Sequence, residues 1–192
     1  MFLVSTLTVP VREEYIIGPD TMLIIPVLED QKVYSRIYEM NQEFICRKKP
    51  LDIIKESCIF YGSSFDGRKE ATIALTNVKN KTPIIVSNFF TLFYFPTASV
   101  HKQDCIWISL EHVLYYKRAP RNTCTVTFRN KINYDLDVSV HIFNNQMLKT
   151  THLKNLINRR MEEMKETKKS YWDLLNLKEI LAYEEKNSYR IK

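Results

Sequence analysis

Short apolar runs, several alternating with polar positions, fill the first 140 residues of this 192-residue chain. Such runs bounded by turn residues read as β-strands rather than helices. Residues 14–17 and 22–28 surround a Gly18-Pro19-Asp20 turn cluster. Residues 32–38 alternate imperfectly, and 44–46 form another short run. Pro50 opens residues 51–58 as a short helix, with proline at its first position. Strands are expected again at 71–78, 105–109, 112–117 and 124–128. Alternation is clearest in 123–128 and 132–138, which flank Arg129-Asn130-Lys131 as a hairpin. Residues 84–86 and 89–95 flank Ser87-Asn88 as a second hairpin.

The period changes after about residue 140. Phe143, Met147, Thr150, Ile157, Met161 and Met164 fall at helical spacing, and Leu153 and Leu156 widen the stripe. A second helix is expected over 171–185, with Trp172, Leu174, Leu177, Ile180 and Leu181 inward. Residues 165–170 read as a polar connection between the two. The order is α+β without βαβ alternation: a β-rich body of mainly antiparallel strands and hairpins, followed by C-terminal helices. The body spans residues 1–140. The helical region, 141–192, either packs on it within one compact unit or forms an oligomer face.

Composition narrows the class. Hydrophobic residues make up 45% of the chain, enough for a core. Residues 82–100 carry no charge, a length that can span a bilayer. Pro83, Ser87, Asn88, Pro96 and Thr97 interrupt that run, which favours the hairpin and no membrane partner. The start of the chain is apolar but lacks a basic segment and a small-residue cleavage site, so a signal peptide is not expected. Four cysteines at 46, 58, 105 and 124 show no CxxC spacing. That argues against a zinc ribbon or redox pair and for buried reduced thiols in a cytoplasmic protein. His101 and Cys105 have no second ligand pair beside them, so no metal or other cofactor is expected.

Charge adds a direction. The net +6 is uneven: residues 1–43 hold 3 Lys/Arg against 7 Asp/Glu, whereas residues 44–131 hold 14 against 6. A localised basic excess suits a polyanionic partner, either nucleic acid or an anionic membrane surface. The cations cluster at turns and strand ends: Arg47-Lys48-Lys49, Arg68-Lys69, Lys79 with Lys81, and Lys117-Arg118 with Arg121. Two of the three glycines, Gly62 and Gly67, frame Ser63, Ser64, Phe65 and Asp66 just before Arg68-Lys69. A turn presenting donors to phosphate and a plain surface turn both fit.

The glycine spacing matches a nucleotide-binding P-loop. However, Lys69 stands where a magnesium-binding hydroxyl belongs, and a strand is expected after the turn where a helix is needed. Serine hydrolysis would need Ser63 or Ser64 beside a histidine and a carboxylate. His101, Asp104 and His112 exist, but G-x-S-x-G is absent. No zinc-finger, bZIP, RNA-binding or clear helix-turn-helix pattern appears. If DNA is the ligand, loops or strands are expected to read it, with arginine entering a narrow A·T-rich minor groove as the option that needs no recognition helix.

The stretch from Phe60 through Gly62, Ser63, Ser64, Gly67 and Arg68 to Lys69 resembles the most distinctive segment of the ComK competence transcription factors of Gram-positive bacteria. Neighbouring motifs agree in order: Lys49-Pro50-Leu51, Ser57-Cys58, residues 83–86, Phe95-Pro96-Thr97, Cys105, Trp107-Ile108-Ser109, His112-Val113 and Asn145-Gln146. The likeness covers roughly residues 33–150. It implies a non-enzymatic activator of DNA-uptake and recombination genes, working on double-stranded A·T-rich boxes largely through the minor groove. It also implies dimers pairing into tetramers, contact with RNA polymerase, and removal by an adaptor–protease system. The residues expected at DNA are Arg47, Lys48, Lys49, Gly62, Ser63, Ser64, Gly67, Arg68, Lys69, Lys117, Arg118 and Arg121. Gly62 and Gly67 would set the turn, and the serines would donate to phosphate. A phosphate- or nucleotide-binding enzyme using residues 62–69, and a protein-interaction module using the C-terminal helices, are the alternatives.

Overall fold

The structure is a computed structural model that describes residues 9–188. Residues 1–8 and the side chains of Ile180 and Leu181 lie outside the described residues. The chain divides into two compact units, Met1–Leu153 and Lys154–Lys192.

Seven strands of the first unit form one sheet: β1 (Val11–Arg12), β2 (Thr21–Glu29), β3 (Lys32–Glu39), β4 (Glu43–Cys46), β5 (Ile84–Ser87), β6 (Leu92–Pro96) and β7 (Trp107–Ser109). Their spatial order is β1-β4-β3-β2-β7-β6-β5. β1 pairs parallel to β4 and every other neighbour is antiparallel. A second sheet, order β10-β9-β8, is built from β8 (Val113–Ala119), β9 (Thr123–Phe128) and β10 (Asn133–Leu136).

Both faces of the large sheet are buried. Alternate residues of one strand enter different core clusters: Ile24, Tyr94 and Trp107 pack on one face, and Leu23, Phe95 and Ile108 on the other. The first face is covered by α1 (Pro50–Phe60) and α2 (Phe65–Thr76), which supply Ile53, Ile54, Cys58 and Phe65. The second packs against Cys124, Val126 and Phe128 of β9 and the start of α3 (Val140–Ser188). There Phe143 sits between Phe95 and Tyr116, with ring centroids 5.6 and 4.8 Å away. Gln146 Nε2 donates to the carbonyls of Lys81 and Pro96, both at 2.9 Å.

The expected α+β class, both hairpins and the proline-initiated helix are present. Three expectations are corrected. Residues 71–78 are not a strand, because residues 71–76 continue α2. Ser64 starts that helix and Asn77, at φ 58°, ends it, so cap chemistry overrides the β preference of Thr72 and Ile73. Residues 165–170 do not interrupt the C-terminal helix; α3 runs through them. Lys165, Glu166, Lys168 and Lys169 are good helix formers, and neither glycine nor proline is present to stop the turn. Residues 14–17 form no strand. Tyr15 and Ile17 are buried, and the Ile17 N–H donates to Ser57 Oγ at 3.0 Å, so α1 takes the bond a strand partner would have taken.

Candidate nucleic-acid interface

The signature turn between α1 and α2 has a structural logic of its own. Gly62, at φ 82°, closes α1: its N–H bonds the Ile59 carbonyl at 2.9 Å, and Ser63 N–H bonds Cys58 O at 3.0 Å. This is the glycine-terminated Schellman stop. Ser64 then caps α2, accepting from the Gly67 N–H at 3.0 Å. A side chain at Gly67 would place its Cβ 3.1 Å from Ser64 Oγ, so the small residue protects the cap. Both glycines and one serine thus serve a helix stop and restart. Residues 50–76 are two helices joined by a four-residue turn, a connection the strand expectation at 71–78 had hidden.

This layout also changes the P-loop comparison. A helix does follow the turn, but α1 rather than a strand precedes it, and Gly67 lies inside the first turn of α2. Arg68 is not a freely exposed cation. It is half-buried, its Nη2 donates to Tyr61 O at 3.2 Å, and its Nε is buried without a partner.

The basic triplet after β4 is graded. Arg47 pairs with Glu13 at 3.1 Å. Lys48 pairs with Glu56 at 2.6 Å and Glu14 at 3.4 Å, and the hydrogen bond to Glu56 raises its pKa. Lys49 is exposed and makes no ion pair with a described residue.

From Lys49 a groove extends in both directions. Three adjoining cavities, about 520, 310 and 390 Å³, share lining residues. The first holds Lys32, Arg47, Lys48 and Lys49; the central one holds Lys49, His101 and Lys102; the third holds Lys69, Lys79, Lys81 and His101. Lys49 joins the first to the second, and Val100 with His101 joins the second to the third. Among the lining residues the carboxylates are Asp52 and Glu56. The fold therefore brings the 47–49 cluster and Lys69 onto one surface. It adds Lys32, Lys79, Lys81 and Lys102, which were not among the expected contacts. Lys79 and Lys81 were visible as a charge cluster, whereas Lys32 and Lys102 are isolated cations with no local signal.

Lys117, Arg118 and Arg121 stand elsewhere, on β8 and the turn that leads to β9. They are exposed and do not line the groove. Arg121 adopts φ 57° in that turn.

All four cysteines are buried and free. Burial pushes the thiols of Cys58 and Cys105 up to about 11, which keeps them neutral and unreactive. Among the described residues no helix is long and apolar enough to cross a membrane.

A protein-family model described as ComK protein matches residues 12–162. The competence transcription factor of Bacillus subtilis (strain 168) is 35% identical over 150 residues, covering 78% of each chain. No solved structure matches the chain. The matched region contains all of both sheets except Val11, both helices of the signature turn and the whole basic groove, and on this evidence the chain belongs to the ComK family.

Proposed function

We propose that the protein is a competence transcription factor, a non-enzymatic activator that binds double-stranded DNA along the groove running from Arg47 to Lys81. The observation that carries this reading is the merging of three cation-lined cavities across one face of the unit matched by the family. Lysines spaced along a depression neutralise successive phosphates and release their counterions. Lys32, Lys49, Lys69, Lys79 and Lys102 have no carboxylate partner among the described residues, so binding DNA costs them no ion pair. The preference for A·T-rich boxes and the minor groove follows the family resemblance. Of the residues expected at DNA, Arg47, Arg118 and Arg121 are the exposed arginines available to a narrow groove.

Fluorescence anisotropy on an A·T-box duplex and a G·C-rich scramble of equal length tests this. The expected outcome is tighter binding to the A·T box, with log affinity falling against log salt at a slope of roughly −4 to −5 if about five phosphates are engaged. Equal weak binding to both duplexes would reduce the groove to a nonspecific basic surface.

Self-association belongs to the same reading. Tyr171, Trp172, Leu174 and Leu177 of α3 are each more than half exposed in the single chain. Burying such a helical stripe between copies explains its apolar character better than solvent does. Dimers pairing into tetramers would place several grooves on one promoter, beside RNA polymerase, until an adaptor–protease system removes them.

A further inference from the structure

The central cavity has a mixed lining, with Val33, Leu51, Val100, Cys105 and Trp107 beside polar and charged groups around a space of about 310 Å³. The rim carries Lys49, His101 and Lys102 against the single carboxylate Asp52. The first residues of α1 also line it.

That helix start has unusual chemistry. The N-cap is Lys49, which offers no side-chain acceptor, and Pro50 follows. A lysine at the positive end of an 11-residue helix adds charge where the helix dipole favours an anion. Lys102 adds to the excess. An independent observation points the same way. Trp107 is among the residues lining this cavity, is fully buried, and its indole N–H has no hydrogen-bond partner among the described residues. Orphaned buried donors are rare in native proteins, and an acceptor entering the cavity would satisfy this one. The neighbouring Cys105 thiol is held neutral by burial and so puts no negative charge there.

We propose that this cavity is a pocket for the phosphate group of a phosphate ester, held by Lys49, Lys102 and the start of α1, with Trp107 as the buried donor behind it. The phosphate comes either from a DNA strand lying in the groove or from a free nucleotide, for which a cavity this size has room. The first source rests on the DNA reading given above; the pocket's own chemistry does not. A free nucleotide held at the centre of the groove would exclude DNA from it.

The indole N–H is its own reporter. In the ¹⁵N-labelled 192-residue chain carrying Trp172→Phe, Trp107 gives the single indole signal. This protein is titrated with inorganic phosphate, with deoxyadenosine monophosphate and with an A·T-box duplex, while anisotropy follows duplex binding separately. A saturable shift of the Trp107 signal is expected with at least one of the three. In Lys102→Ala, whose exposed side chain is outside the core, that response should weaken at least about tenfold, as loss of a charge-assisted contact does. A shift with duplex alone assigns the pocket to the DNA backbone. A shift with the mononucleotide that also displaces duplex assigns it to a free effector. An indole signal unmoved by all three probes while the duplex binds would overturn the pocket and leave the DNA reading intact. A phosphate-induced shift without duplex binding would support the pocket and overturn the DNA reading. A shift undiminished in Lys102→Ala would also overturn the proposal.

Discussion

At the scale of single residues, the lesson is that charge in a motif does not establish exposure. Arg68 reads from sequence as a free surface cation, yet its guanidinium is tied to the Tyr61 carbonyl at the α1–α2 turn. Arg68→Ala should therefore lower stability by about 1–2 kcal/mol, measured by urea denaturation, because it removes a charge-assisted bond to a helix C-terminus. Weaker DNA binding by that variant would be ambiguous, whereas Lys69→Ala or Lys102→Ala probes the groove with less structural cost. His112 gives a pH prediction. It is buried against Ser109, with Nδ1 and Oγ 2.9 Å apart, and burial followed by the Arg129 charge lowers its pKa below 6.5. A histidine kept neutral in the folded state binds fewer protons than its unfolded counterpart as pH falls. Its contribution is complete above about pH 6.5 and is lost as pH drops through that value towards the lowered folded pKa. Thermal melts from pH 7.5 to 5 should show falling stability, and His112→Asn should flatten that fall.

At the scale of elements, the signature segment is a helix stop and a helix start in eight residues. Ser64→Ala should cost about 1 kcal/mol through loss of the α2 cap, read as a lower denaturation midpoint. Gly62→Ala should cost about 1–2 kcal/mol, because a Cβ at φ 82° is strained in the left-handed region even though nothing crowds it. Unchanged midpoints for both would mean the turn is held by its neighbours rather than by its own caps. Strands were legible where alternation was strong, as in β9 and β10, since burial on one face forces period two. α2 was not legible, because Thr72 and Ile73 favour strands while the cap, Phe65 packing on Trp107, and the Asn77 stop favour a helix. A short helix is decided by its ends and its neighbours more than by its interior.

At the scale of the whole molecule, the exposed stripe on α3 carries the assembly prediction. Replacing Leu174 and Leu177 together by Glu should shift sedimentation towards the monomer, and any fall in the denaturation midpoint should vanish at low protein concentration, because both side chains are exposed in the single chain and matter only to the associated form. If the variant sediments like the parent protein, the stripe is not the self-association face. The groove is the other whole-molecule property, for its cations come from β3, the β4–α1 link, α2, the α2–β5 link and the β6–β7 loop.

Sequence alone determined what local physics controls: the α+β order, the two hairpins, the proline-started helix and the helical C-terminal region. It also located the basic excess and carried the motifs of the family. Tertiary structure decided which cations share a surface. Lys49 and Lys69 meet in one groove, while Arg118 on β8 and Arg121 in the β8–β9 turn are left outside it, and no spacing rule distinguishes the two outcomes. It also decided that Trp107 ends beside a cavity with its N–H unpaired, because burial and hydrogen-bond satisfaction depend on partners far apart in the chain.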